Sequence, residues 1–156
     1  ESGRTHVKGT GMRLPPHRSK TSGVNTDFLR RYARKMLRSA HSAQSCTALP
    51  VVRCVHAART LPAGRLTELY HARGALQLKH MFRTLAFELG YASWDACKRD
   101  IDHRSPDLLD RYRLDQGAFD DHEQIWFADE IGAAHWQRQH GGRMIAYGRQ
   151  AVIIPT

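Results

Sequence analysis

At 156 residues, with 24 Lys/Arg against 15 Asp/Glu and a net charge of +9, the chain is long enough to bury a core without metal or disulfide staples. Cys46, Cys54 and Cys97 form an odd set without CxxC spacing, which argues against a disulfide framework and for a reducing compartment. No apolar run approaches the roughly 20 residues that span a bilayer, and the polar start lacks the apolar stretch of a signal peptide, so a cytoplasmic protein with no membrane partner is expected.

Residues 1–24 carry Gly3, Gly9, Gly11, Pro15, Pro16 and Gly23 among scattered Arg, Lys and His, with no apolar periodicity to offset ordering entropy. They read as a flexible basic arm. A helix is expected from Asn25 or Thr26 as N-cap, because Phe28, Leu29, Tyr32, Ala33, Met36, Leu37 and Ala40 recur at spacings of three and four. Its other face is Arg30, Arg31, Arg34, Lys35 and Arg38. A second short helix is expected over Leu49 to Ala58, with Pro50 in its first turn, and Leu61-Pro62-Ala63-Gly64 breaks it. Arg65 to Leu89 is the longest helical pattern, a wide apolar face interrupted only by Gly74. Gly90 is placed to end that helix and Ser93 to cap the next, which runs through Ile101. A further short helix follows Ser105-Pro106.

After Gly117 the period changes. Gln124 to Ala128 reads as a strand, Asp129 to His140 as a helix ending at Gly141-Gly142, and Arg143 to Ile154 as two strands around Gly148. The expected fold is α+β: a helical N-terminal two-thirds of about five helices, one pair of them helix-turn-helix-like, then a small β-α-β-β unit. The expected organisation is an arm over 1–24, a helical domain over 25–117, and the β-α-β-β unit over 118–156 packed on it.

Positive charge is concentrated at the front of the chain: residues 1–38 hold ten Lys/Arg and two acids, whereas residues 101–156 hold six and nine. A concentrated cationic surface releases counterions from phosphates, so a nucleic acid is the expected partner. Arg30, Arg34 and Arg38 recur every four residues and line one side of their helix, with Arg31 and Lys35 beside them. Like charges so spaced repel by a few tenths of a kcal/mol per pair, a cost relieved when an anion binds. The alternative use of the same row is a solvated face paired to the acidic C-terminal unit.

The segment from Leu85 to Ile101, which reads Leu-Ala-Phe-Glu-Leu-Gly-Tyr-Ala-Ser-Trp-Asp-Ala-Cys-Lys-Arg-Asp-Ile, resembles a helix-turn-helix. That resemblance makes Ala86 the small residue where two helices cross, Gly90 the turn and Ser93 the start of a recognition helix. It leaves Trp94, Asp95, Lys98 and Arg99 to face a groove. The same residues are similar to a Leu-Gly-aromatic-x-Ser-Trp helical hairpin of uncharacterised bacterial proteins, in which the Trp is packed and no activity is implied.

Ten His residues do not converge on a metal pattern: His71 and His80 are nine apart on one expected helix, and Cys46, Cys54 and His56 match no common zinc spacing. No cofactor or metal is expected. The run Asp120-Asp121-His122-Glu123, with Asp110 and Asp115 before it, is the catalytic alternative, since clustered carboxylates can hold Mg²⁺ and a His can act as general base.

These readings combine into an expectation: a basic bacterial protein that binds nucleic acid without catalysis, DNA favoured over structured RNA, through Arg30, Arg31, Arg34, Lys35, Arg38, Trp94, Lys98 and Arg99. The alternatives are a metal-dependent nuclease or toxin, and a protein-protein adaptor with a basic docking surface. A homodimer through an unpaired C-terminal edge strand, Gln150 to Ile154, is a further expectation.

Overall fold

Asn25 and Thr26, the two side chains expected to cap the first helix, hold a distant segment instead. In the computed structural model, which describes residues 23–62 and 64–156, helix α1 spans Val24–Ala40 and both residues lie buried in its first turn. Asn25 Nδ2 donates to the carbonyls of Ile101 (2.8 Å) and Arg104 (3.0 Å). The Thr26 backbone N–H and Oγ1 donate to the Asp102 carboxylate at 2.9 and 2.8 Å. The arm expected over 1–24 lies, apart from Gly23 and Val24, outside the described residues.

The described residues form two compact units, the first ending at Arg104 and the second running Ser105–Thr156. In the first, α1 buries Leu29, Ala33, Met36 and Ala40 along one stripe. Helix α2 (Ser45–Ala57) starts a turn earlier than expected, which leaves Pro50 inside it. The lost backbone bond and ring clash cost about 3 kcal/mol. Burial of Val52 and Val55, each fully shielded, offsets that at about 1.5–3 kcal/mol per side chain.

The pattern expected to form one helix from Arg65 to Leu89 is broken into α3 (Leu66–His71), a 3₁₀ turn (Arg73–Ala75) and α4 (Leu78–Glu88). Long-range bonds fix the break. The Arg73 guanidinium donates to the Ser42 carbonyl at 3.2 Å through two nitrogens and to Tyr70 O at 2.9 Å, while lying 4.1 Å from the centre of the Tyr70 ring. His41 Nε2 donates to Leu76 O at 2.9 Å, and the Leu76 side chain is buried. A continuous helix would bond the Tyr70 and Leu76 carbonyls within itself and leave neither for Arg73 or His41.

The turn into α5 (Trp94–Asp100) follows local chemistry as expected. Gly90 takes φ +87, its N–H bonds Phe87 O (3.0 Å) and the Tyr91 N–H bonds Ala86 O (2.8 Å), the paired pattern of a Schellman stop. Ser93 Oγ then accepts from the Ala96 N–H at 3.1 Å, capping α5. Ala86, Cys97 and Ile101 are buried in this hairpin and its exit.

The second unit opens with a 3₁₀ turn (Pro106–Leu109) and α6 (Asp110–Asp115), followed by β1 (Ile125–Phe127), α7 (Glu130–His140), β2 (Arg143–Tyr147) and β3 (Gln150–Ile154). Six α-helices therefore precede a β-α-β-β arrangement among the described residues, an α+β fold. The sheet is antiparallel in the order β1-β3-β2. Ala151 and Ile153 face one side with Ala133, Phe127, Trp136 and Met144, while Val152 and Ile154 face the other with Ile145, Leu114 and Phe119.

This corrects the expectation of an open C-terminal edge. Strand β3 is central, bonded to β1 through Ile125↔Ile153 and to β2 through Met144↔Ile153, so its ladder presents no free template for a second copy. Its unbroken Ala-Val-Ile-Ile run is the signature of a strand covered on both faces.

Candidate functional site

The cationic row on α1 is displayed on the solvent side of the helix that buries Leu29, Ala33 and Met36. Arg31, Arg34, Lys35 and Arg38 are exposed, and among the described residues none of the four makes an ion pair. Arg30 is partly engaged, its Nη1 3.3 Å from Asp27 Oδ1. Spacing by four residues keeps Arg30, Arg34 and Arg38 on one side of the helix, as expected.

On α5 the three expected residues divide. Trp94 is half-buried and stacks on Phe82 of α4, ring centroids 4.4 Å apart and planes 12° from parallel, so it packs the hairpin. Lys98 Nζ lies 3.3 Å from Asp95 Oδ1, three residues earlier on the helix. Arg99 is exposed with no ion pair among the described residues. Because Asn25 and Thr26 are bonded to residues 101–104, the end of α5 abuts the start of α1.

The acidic run behaves differently from a metal site. Asp120, Asp121, His122 and Glu123 are exposed in a turn, and the two acids before them are engaged: Asp110 by Arg143 and Arg113, Asp115 by the Tyr147 hydroxyl. Among the described residues no three of His, Cys, Asp and Glu are grouped to hold a metal ion. Cys46 is exposed, whereas Cys97 is buried and its thiol is pushed up to about 11, first by burial and then by Asp100 and Asp102, which leaves it protonated and unreactive at neutral pH.

A cleft absent from the sequence reading lies where the end of α2 meets the α4–α5 hairpin. It measures about 580 Å³ and is lined by Arg59, Thr60, Lys79, Phe82, Arg83, Phe87, Tyr91, Ser93, Trp94 and Asp95, with Ala58 and Ala92 completing the wall. Lys79, Arg83 and Phe87 follow one another at intervals of four along α4 and so share one side of it. Phe87 is 56 % exposed, an aromatic standing in line with two cations where a charged residue would be ordinary. That misplaced Phe was the available signal.

Two polar contacts hold the rims. Tyr91 Oη donates to Asp100 Oδ2 at 2.5 Å; burial, then that bond, raises the phenol's pKa, while the same bond chiefly lowers the Asp100 carboxyl's. Behind the cationic rim, Thr60 Oγ1 and Thr84 Oγ1 lie 3.1 Å apart, and Thr84 Oγ1 donates to His80 O at 2.8 Å. His80 is buried beneath them, its Nδ1 accepting from the Gln77 N–H at 2.8 Å. Burial, then Lys79 and Arg83, lowers the His80 pKa, which keeps that acceptor nitrogen unprotonated.

No protein-family model matches this chain, and comparison with curated proteins and with solved structures finds no similar one. No helix among the described residues is long and apolar enough to cross a membrane.

Proposed function

We infer that this protein binds nucleic acid without catalysing a reaction on it, DNA in preference to structured RNA. The observation that carries this reading is the α1 row: four exposed cations with no ion-pair partner among the described residues, on a helix whose opposite side is committed to the core. Residues 1–22 add five Lys/Arg immediately before it. Phosphates neutralise such a row and relieve its self-repulsion, and the counterions released supply the affinity. Arg99, and Lys98 once released from Asp95, would set register or reach a groove from α5. The free thiols suit a reducing, cytoplasmic setting.

The test is fluorescence anisotropy of the nuclease-treated protein on random duplex DNA, single-stranded DNA and hairpin RNA over a range of salt. The expected result is a steep salt dependence on duplex DNA that becomes shallower by roughly 2–3 units of log–log slope in the Arg30→Ala/Arg34→Ala/Arg38→Ala variant. Equal slopes for variant and parent would sink the assignment of the row to phosphates.

A further inference from the structure

We propose that the cleft between the end of α2 and the α4–α5 hairpin is a nucleotide site, taking a planar base against the Phe82, Phe87 and Trp94 wall and a phosphate between Arg59, Lys79 and Arg83. This goes beyond the α1 reading, because no residue of that row lines the cleft.

The volume, about 580 Å³, lies inside the range of roughly 300–1,000 Å³ typical of small-ligand sites. Three cations face one carboxylate on its rim, and that carboxylate, Asp95, is already paired with Lys98. Arg59, Lys79 and Arg83 are all exposed, and none makes an ion pair among the described residues. Arg59 is also the one non-glycine residue with positive φ among them (φ +52), a left-handed conformation that an Arg adopts at a cost. That conformation ends α2, where the Arg59 N–H bonds His56 O (3.0 Å) and the Thr60 N–H bonds Val55 O (3.4 Å), and the turn so made puts Arg59 in the cleft lining with Lys79 and Arg83.

Phe87 presents an exposed ring in line with the cations, and the stacked Phe82–Trp94 pair lines the same cleft. Apolar rings combined with fixed cations match a ligand that is flat and aromatic at one end and anionic at the other. A bare phosphate does not use the rings, and a neutral aromatic does not use the cations. Asp95 and the Ser93 and Thr60 hydroxyls offer polar contacts for a ribose or a base amine.

Such a ligand comes either as a free mononucleotide or as an unstacked nucleotide of a single strand, and the experiment separates the two. The full chain is titrated by calorimetry with adenosine 5′-monophosphate, guanosine 5′-monophosphate, adenosine, inorganic phosphate, and a 5′-phosphorylated single-stranded oligonucleotide. A nucleotide is expected to bind at least about tenfold more tightly than adenosine or phosphate. Arg83→Glu and Phe87→Ala, both at exposed positions, are each expected to weaken it by about tenfold or more while leaving the unfolding midpoint in place. Tighter binding of the strand, lost with Phe87→Ala, assigns the site to strand nucleotides; binding of the mononucleotide alone assigns it to the free ligand.

No binding of any nucleotide or strand, equal binding of inorganic phosphate, or indifference to both substitutions would overturn the proposal. The α1 triple variant should keep its nucleotide affinity, and Phe87→Ala should keep its duplex affinity, so each reading can fail while the other stands.

Discussion

Trp94 and Phe82 stack with ring centroids 4.4 Å apart and planes 12° from parallel, joining α5 to α4 across the Gly90 turn. Helix α5 is only Trp94–Asp100, two turns that have little stability of their own. Removing the indole should therefore loosen the hairpin as well as empty one wall of the cleft. Trp94→Ala is expected to cost about 2–3 kcal/mol in urea unfolding, below the range for a fully buried Trp because this ring is half-buried. Arg99→Ala, on the exposed side of the same helix, should stay within about 0.5 kcal/mol. An unchanged midpoint for Trp94→Ala would show that the stack contributes no stability.

In the second unit, Asp110 is buried and accepts from two guanidiniums: Arg143 Nη2 at 2.6 Å and Arg113 Nη1 at 3.1 Å. Arg143 also reaches Asp107 at 2.8 Å, and Arg113 the carbonyl of Pro106 at 2.7 Å. Asp110→Asn would keep the shape and remove the charge, leaving two cations with one fewer anion. Because both arginines are partly solvated, a loss of about 2 kcal/mol is expected, short of the full penalty for breaking a buried pair. A thermal melt of the Asn variant that matches the parent would mean the cluster is screened by water.

The lowered pKa of His80 sets a direction for pH dependence. In the unfolded chain an imidazole takes its proton near about 6.5, whereas the folded protein resists it to lower pH, so the unfolded state binds more protons in that interval. Stability should fall as pH drops below about 6.5 and level off once pH has passed below the folded-state value. His80→Gln retains an acceptor for the Gln77 N–H and does not titrate, so its unfolding midpoint should show a shallower slope than the parent's between pH 5 and 7. Identical slopes would assign the dependence to the other histidines.

Two glycines with positive φ should differ in what a methyl group does to them. At Gly90 (φ +87) an added Cβ meets nothing within 4 Å, so Gly90→Ala carries only backbone strain, about 1 kcal/mol. At Gly142 (φ +101) the same atom would come 2.8 Å from Ile153 Cγ2 and 3.1 Å from Ile154 O, on the central strand. Gly142→Ala is expected to add a packing penalty of about 1–3 kcal/mol to the strain. Urea titrations that rank Gly90→Ala as the more damaging would contradict this.

What the amino-acid sequence determined by itself is what depends on near neighbours. The spacing of Leu29, Ala33, Met36 and Ala40 forms α1 and turns its arginines outward; Gly90 and Ser93 stop one helix and start the next; Asp129 caps α7, its side chain accepting from the Gly132 N–H at 2.8 Å. Each rests on the helical period or on a bond spanning three or four residues, and so was legible.

The tertiary structure decided the rest. The break between α3 and α4 depends on Arg73 reaching Ser42 and His41 reaching Leu76, contacts over 31 and 35 residues that no local pattern contains. Strand β3 became central because β1, more than twenty residues earlier in the chain, pairs with its free side. The cleft was hidden because Arg59 arrives from a turn after α2 while Lys79, Arg83 and Phe87 come from α4, and only the packing of separate helices places an exposed aromatic beside three cations. Local period sets which way a side chain points, but long-range hydrogen bonds and burial set what it points at.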